Sequence, residues 1–135
     1  MTLKGGRLVA RVKLERDRDV ARARQTVSQA FDAFGSSAIH KTRFVTAVSE
    51  IARNAVTHGG GGEIAIYAHE GPARISIVCT DLGPGIEDTE QAMRDGFSTT
   101  KSMGRGLGGA RRLTKGFEIE TAPGRGTTVR MWGVA

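Results

Sequence analysis

The stretch Ser49–His58, with the sequence SEIARNAVTH, predicts a helix with two chemically different sides. Glu50, Asn54 and His58 are spaced four residues apart, so on a helix they lie along one face. The other side of the stretch carries an apolar stripe that would face a core. A helix that buries one side and presents a carboxylate and an amide on the other can hold a magnesium ion and a reacting hydroxyl group. The stripe consists of Val48, Ile51, Ala52, Ala55 and Val56.

Length and composition fit a single globular domain that spans residues 1–135, since domains commonly have about 100–150 residues. No apolar run approaches the ~18–20 residues of a membrane span, and basic residues interrupt the N-terminus where a signal peptide would be apolar. The one cysteine, Cys79, excludes a disulfide scaffold and a cysteine-rich zinc site. We therefore expect a cytoplasmic protein without a membrane partner.

The chain has 20 basic and 14 acidic residues, and hence a formal charge of +6. This excess is either a solvated basic surface or an attraction for the phosphates of a nucleotide or nucleic acid, or for an acidic protein. Only seven aromatic residues are available for base stacking, and no nucleic-acid motif is present, so no nucleic acid is expected as a partner. The 19 glycines cluster at 59–62, 83–85, 104–109 and 124–126, which predicts placed turns and loops.

Hydrophobic periodicity predicts an alternation of strands and helices. Residues 8–14 alternate, with Leu8, Ala10, Val12 and Leu14 on the buried face of a strand. Two helices are predicted next. Asp17 or Asp19 caps the first, which ends at Gly35, and Ser36 or Ser37 caps the second, which runs to Thr57 with Ile39 and Phe44 on its buried side. The remaining predicted elements are a hairpin of strands 63–69 and 74–80, a long loop 81–106 with a short helix near 89–94, a helix 107–113, and strands 117–121 and 127–134.

This order of elements predicts the fold class. Strands that arrive in adjacent hairpins with helices between them favour an α/β two-layer sandwich, in which helices cover one face of a mixed, mostly antiparallel sheet. The long loop 81–106 is typical of a functional lid or of a disordered segment.

Two glycine-rich stretches carry further chemistry. Asp81 ends a buried strand and could accept a hydrogen bond from an exocyclic amine such as that of adenine, while Gly83 and Gly85 let the backbone approach a flat ring. A simple turn is the alternative. Gly104–Gly109 open a helix, where backbone N–H groups would form an anion cradle, although a flexible hinge would have the same composition. Two lid cations, Lys101 and Arg105, could reach phosphates or be solvated charges.

Taken together, the order of these motifs resembles the GHKL superfamily of ATPases and kinases over nearly the whole chain. The resemblance implies the Bergerat ATP-binding fold, ATP and Mg²⁺ as cofactors, Asn54 as the metal ligand and Asp81 as the reader of the adenine amine. A glycine-rich box, Gly104 to Gly108, would wrap the phosphates, and either Thr127 or Thr128 would assist at adenine. The implied nucleotide site also includes Gly83, Gly85, Thr99, Lys101, Gly104, Arg105, Gly106, Leu107 and Gly108.

The sequences of three short segments narrow the resemblance. The segments 49–54, 95–99 and 106–113 are similar to those of the anti-sigma and switch-protein serine kinases, and in particular to the RsbT-like stressosome kinases. That group implies a protein kinase that phosphorylates a serine or threonine of a small STAS-domain antagonist, with Glu50 as the base and Lys101 and Arg105 as catalytic cations. Arg105 departs from the family's pattern, because the anti-sigma kinases carry their lid arginine ahead of the first glycine.

Two other functions stay open at this stage. The chain could be an anti-sigma factor or a phosphatase activator that works by protein binding, with ATP as a structural ligand and a sigma factor or a phosphatase as its partner. A nucleic-acid binder would rest on the net charge alone. The protein could act as a monomer or a homodimer.

Overall fold

The structure, a computed structural model, describes residues 5–83, 101–121 and 124–135. Its elements follow the predicted order of strand, helix, helix, two strands, helix, two strands. The short helix predicted near 89–94 lies outside the described residues. The elements are β1 (Arg7–Leu14), α1 (Asp17–Ala33), α2 (Ala38–Thr57), β2 (Gly62–His69), β3 (Arg74–Asp81), α3 (Lys101–Leu113), β4 (Gly116–Thr121) and β5 (Thr127–Val134).

The strands form one sheet in the order β1-β2-β3-β5-β4. All four pairings between the described strands are antiparallel, so the mostly antiparallel sheet is confirmed and no parallel pair is found among these strands. β3 lies at the centre, with partners on both sides along its whole length. The polar end of this strand, Asp81, is therefore held by two neighbours.

The core lies between the sheet and the helices. The rings of Phe31 in α1 and Phe44 in α2 meet with centroids 5.6 Å apart. They pack over fully buried side chains from one face of the central strands, because alternate residues of a strand point to the same side. These sheet residues are Ile64, Ile66, Ile75, Ile77 and Met131.

The predicted alternation of β1 fails at its start. The register with β2 shifts between Leu8 and Ala10, and Leu8 is 44% exposed, while Val9 packs against the core. An extra residue in one strand moves the following side chains to the other face, so Leu8 falls out of phase with Val12 and Leu14. The predicted buried positions hold for Val12 and Leu14.

The predicted cap holds for α2 but not for α1. The N-cap of α1 is Arg16, so Asp17 and Asp19 are the first and third residues of the helix and neither is its cap. Asp19 accepts hydrogen bonds from the backbone N–H groups of Glu15 and Arg16, which lowers its pKa. Ser37 caps α2 by accepting from the N–H of His40. Ile39, predicted on the buried side of α2, is instead 70% exposed. Its spacing of five residues from Phe44 places the two side chains about 140° apart, on different faces.

α3 begins at Lys101, six residues before the predicted start at Leu107. The glycines Gly104 and Gly106 therefore lie within the helix and do not precede it. None of the helices in the described part of the chain has the length and hydropathy needed to cross a bilayer.

Candidate nucleotide site

The site is built around Asp81, the last residue of β3. Its neighbours in the sheet are Gly62 on one side and Thr127 on the other. The carboxylate accepts a hydrogen bond from the backbone N–H of Gly83 at 2.9 Å, and a second one comes from the backbone of Thr127. These bonds fix the orientation of the carboxylate at the end of the central strand.

Burial raises the pKa of the Asp81 carboxyl, and the backbone hydrogen bonds from Gly83 and Thr127 act in the opposite direction with a smaller effect. A partly desolvated carboxylate gains more from a hydrogen-bond donor than an exposed one does. Asp81 can therefore discriminate strongly for a ligand that offers an amine.

Three glycines make room for this aspartate. A Cβ atom on Gly59 would lie 2.5 Å from the Asp81 side chain, and one on Gly126 would overlap the Asp81 carbonyl oxygen. Gly83 lies against Gly59, where a Cβ would come within 2.6 Å of the Gly59 Cα. Packing against Gly59 is therefore enough to explain why position 83 is a glycine. Sequence reasoning missed the role of Gly59, because it is 22 residues from Asp81 in the chain.

Above Asp81 lies a small cavity between α2, α3 and the sheet. It has room for about 30 Å³ of solvent, the share of roughly one water molecule. The walls are largely apolar; one of them is Cys79, whose pKa burial raises to about 12, so that it stays a neutral thiol. The lining residues are Ile51, Asn54, Ala55, Cys79, Asp81, Leu107, Thr127 and Val129.

Asn54 contributes an unsatisfied amide to this cavity. Its Nδ2 is buried and has no hydrogen-bond partner in the described part of the chain. Its backbone carbonyl accepts from the N–H groups of His58 and Gly59, and the helix ends at the C-cap His58 beside the cavity. A buried polar group without a partner costs about 1–3 kcal/mol, so a ligand that bonds to the Asn54 amide would relieve this penalty.

A magnesium ion at this site would take the Asn54 amide oxygen as a protein ligand. The described residues contain no cluster of three or more His, Cys, Asp or Glu side chains that could cage an ion. Mg²⁺ commonly keeps several waters and takes few protein oxygens together with substrate phosphates. Rotation of the Asn54 side-chain amide by half a turn exchanges the positions of Oδ1 and Nδ2, so that Oδ1 could serve as one such oxygen.

Glu50 lies one helical turn before Asn54, at the border between the buried stripe and solvent. Its side chain is 36% exposed, and Oε1 accepts from the Arg53 guanidinium at a long 3.4 Å. The carboxylate is thus accessible, and its contact with Arg53 is weak. Arg53, which lies about 100° from Asn54 around the helix, makes this i,i+3 contact while its side chain stays 50% exposed.

The structure separates the two threonines that the sequence left open. Thr127 lines the cavity, whereas Thr128, the next residue in β5, lies opposite Thr80 and Glu120 on the other face of the sheet. Thr121 supports Thr127 across the β4–β5 hairpin, with their hydroxyl oxygens 3.0 Å apart. Thr121 is a positioning residue that pairing of the two predicted strands could have revealed.

The glycine-rich stretch differs from the expected phosphate cradle. Residues Gly104–Gly108 lie inside α3 and do not form a loop ahead of it. The prediction that these glycines open a helix is wrong for this arrangement. The side chains of 101–106 are not described, and Gly85 and Thr99 lie outside the described residues. Leu107 is buried in the cavity wall.

Comparisons with known proteins agree with this architecture. A family model for the histidine kinase-like ATPase domain matches residues 14–132. The serine/threonine-protein kinase RsbT of Bacillus subtilis (strain 168) is 36% identical over 121 residues, which cover 88% of this chain and 91% of the relative. An anti-sigma F factor of Thermoanaerobacter sp. (strain X514) is 39% identical over 92 residues, which cover 64% of each chain.

A solved structure of a histidine kinase domain, from the Erythrobacter litoralis EL346 blue-light activated histidine kinase, has the same fold. The TM-score is 0.53 at 16% identity, and the match covers 87% of this chain and 60% of that one. Fold and site thus define an ATPase-type nucleotide domain of two layers. The chain belongs to the histidine kinase-like ATPase domain family, in its RsbT-like group. The predicted enzyme class, a protein serine/threonine kinase, is confirmed.

Proposed function

We propose that this protein is the kinase of a bacterial partner-switching pathway, which transfers the γ-phosphate of Mg-ATP to a serine or threonine of a STAS-domain antagonist protein. The observation that carries the proposal is the cavity over Asp81, which has the unpartnered amide of Asn54 in its wall and the accessible carboxylate of Glu50 one turn away. The similarity to a serine/threonine-protein kinase over 88% of the chain supports it.

In this mechanism Asp81 accepts a hydrogen bond from the adenine amine, and Thr127 assists beside it. Asn54 would hold the magnesium ion, which would supply charge neutralisation at the phosphates. The Glu50 carboxylate takes the proton of the substrate hydroxyl as its oxygen forms a bond to the γ-phosphorus, and the bond from that phosphorus to the β,γ-bridging oxygen breaks to release ADP. Such transfer depends on positioning and electrostatics more than on covalent chemistry of the protein.

A second candidate function is sequestration of a protein partner, with ATP as a structural ligand. The similarity to anti-sigma F factors over 64% of the chain favours this alternative, with a sigma factor as the bound partner. The two functions differ in one measurable quantity, the phosphate that the partner receives.

The proposal is tested with the Glu50→Ala variant. Loss of a positioned proton acceptor typically costs about 100–10,000-fold in rate, so transfer from labelled ATP to a candidate STAS-domain protein should fall by at least about 100-fold. Affinity for Mg-ATP should stay within about threefold, because Glu50 does not line the cavity.

Glu63→Ala is the matched control, since Glu63 is 43% exposed and also paired with an arginine, Arg11, but lies in β2. It should transfer phosphate at the wild-type rate. If Glu50→Ala transfers as fast as the wild type, Glu50 is not the base. If wild-type protein binds Mg-ATP and the partner but leaves the partner unlabelled, the kinase function is refuted and sequestration is favoured.

A further inference from the structure

A second groove lies away from the nucleotide cavity, between the start of α2, the end of α3 and the end of β5. It has room for about 340 Å³ of solvent. Phe44 and Leu113 line it, and Gly133 deepens it, because a Cβ at that position would lie 2.7 Å from the Phe44 ring. Ile39 in this groove is 15 residues from Asn54 along α2, which corresponds to about 22 Å.

The rim of this groove exposes apolar side chains. Ile39 is 70% exposed and Val134 is 37% exposed, and both line the groove. Only four large hydrophobic residues in the described part of the chain are this exposed, and two of them meet here. Exposed apolar side chains that gather at one concave place mark an interaction surface, whereas scattered ones do not.

The charges around the groove are all positive. Its lining includes the cationic side chains of Arg43, Arg112 and Lys115 together with His40, and no aspartate or glutamate is among the described residues that line it. Asp32 and Lys41 form an ion pair at 2.9 Å, and neither lines the groove.

One interaction holds a cation in position at this surface. The Arg43 guanidinium donates to the backbone carbonyl of Arg112 at 3.4 Å, which links the start of α2 to the last turn of α3. The remaining donors of this exposed guanidinium can bind a carboxylate, which matches the fork geometry of arginine.

From this combination we infer that the groove docks an acidic protein segment that carries one apolar side chain. The apolar side chain lies between Ile39 and Val134 over Phe44, and flanking carboxylates bind Arg43 and Lys115. This goes beyond the proposed kinase activity: it is a docking site at the far end of α2 and does not require nucleotide.

The probe is an acetylated, amidated pentapeptide with a central leucine between pairs of glutamates, titrated into isotope-labelled full-length protein and followed by amide chemical shifts. Shifts should be confined to residues 38–44, 112–115 and 133–134. The same peptide with serine in place of leucine should bind at least about tenfold more weakly, because the apolar contact is lost. Mg-ATP should change the affinity by less than about twofold.

Two variants test whether the peptide binds in the groove or to positive charge anywhere on the surface. The double variant Ile39→Ser with Lys115→Glu should bind the peptide at least about tenfold more weakly, whereas Arg24→Glu, which makes the same charge reversal on the exposed side of α1, should stay within about twofold. Both affected residues are exposed, so thermal unfolding should be unchanged.

The inference would be overturned by no shift at the highest peptide concentration, by shifts spread over all basic surfaces, or by equal weakening by Arg24→Glu. Equal binding of a single-stranded oligonucleotide at the same residues would also overturn it, since the site would then recognise charge alone. These readouts use neither ATP hydrolysis nor phosphate transfer, so they stand apart from the test of the kinase activity.

Discussion

At the scale of single residues, Asp81 combines opposing influences. Burial raises its pKa, while two backbone N–H groups hold the ionised form in place. A carboxylate kept charged at this site is available to bind an amine, but its charge is costly without a ligand. The consequence is a ligand contact that depends on pH.

Replacement of Asp81 by asparagine should weaken Mg-ATP binding by roughly 10–100-fold, the equivalent of the ~1.5–3 kcal/mol of a hydrogen bond to a charged group. In the wild type, protonation should weaken binding as pH falls toward a pKa above the ordinary value of 3.8. Isothermal titration calorimetry between pH 7 and pH 5 measures both effects.

The raised pKa of Asp81 also makes the stability of the fold depend on pH, in a defined direction. A raised pKa means that the folded state holds more protons than the unfolded state between pH 3.8 and the folded pKa, so this group's contribution makes the protein less stable as pH rises through that window. Asp81→Asn should remove this dependence. Asp32→Asn, a change at a 59% exposed side chain, is the control and should leave nucleotide affinity unchanged. An Asp81→Asn protein with wild-type affinity would rule out the amine contact.

Much of the site could be predicted from single residues. The spacing of Glu50 and Asn54 and the position of Asp81 at a strand end are local features, and local features are readable from sequence. The approach of Gly59 to Asp81 could not be predicted, because it depends on how the end of α2 meets the end of β3. The exposure of Ile39 was missed through an error of helical phase.

At the scale of elements, α3 contains four glycines among its thirteen residues. Each glycine inside a helix costs about 0.5–1 kcal/mol relative to alanine. That weak helical preference is why the sequence predicts a loop up to Gly106, and why the true start of the helix depends on tertiary packing against α2. The bulge in β1 was missed for a related reason, since pairing with β2 sets it.

Two glycine substitutions should have opposite effects. Gly109→Ala should raise the free energy of unfolding by about 0.5–1 kcal/mol, because no atom lies within 4 Å of the added Cβ. Gly126→Ala should lower it by about 1–3 kcal/mol, since its φ of +74° strains any side chain and the Cβ would meet the Asp81 backbone. Chemical denaturation measures both. Equal changes in the same direction would contradict the helical placement of Gly109.

At the scale of the whole molecule, one aromatic contact joins α1 to α2 above the sheet. Phe31 and Phe44 are almost fully buried, and the strands' isoleucines lie beneath them. The two-layer arrangement was predictable because the order of helices and strands leaves few other ways to bury their apolar faces. The order of the strands in the sheet was not predictable in the same way, since it depends on the long-range pairing of β3 with β5.

Phe31→Ala should lower the free energy of unfolding by about 3–5 kcal/mol, because it leaves a cavity at the centre of the helical layer. Phe34→Ala, at the partly buried end of α1, should cost clearly less. Circular dichroism and fluorescence of the single tryptophan should follow one shared transition in each variant. A Phe31→Ala protein as stable as Phe34→Ala would contradict the packing described for the helical layer.

The central place of β3 has a consequence for exchange of backbone hydrogens with solvent. Because β3 is paired with a strand on each side, its amides should exchange with deuterium only when the entire fold opens. The glycine-rich first turns of α3 should exchange through local fraying. The nucleotide cavity is therefore lined on one side by slowly exchanging amides of β3 and on the other by rapidly exchanging amides of α3. A bound ligand should slow exchange mainly in α3, where opening requires the least free energy.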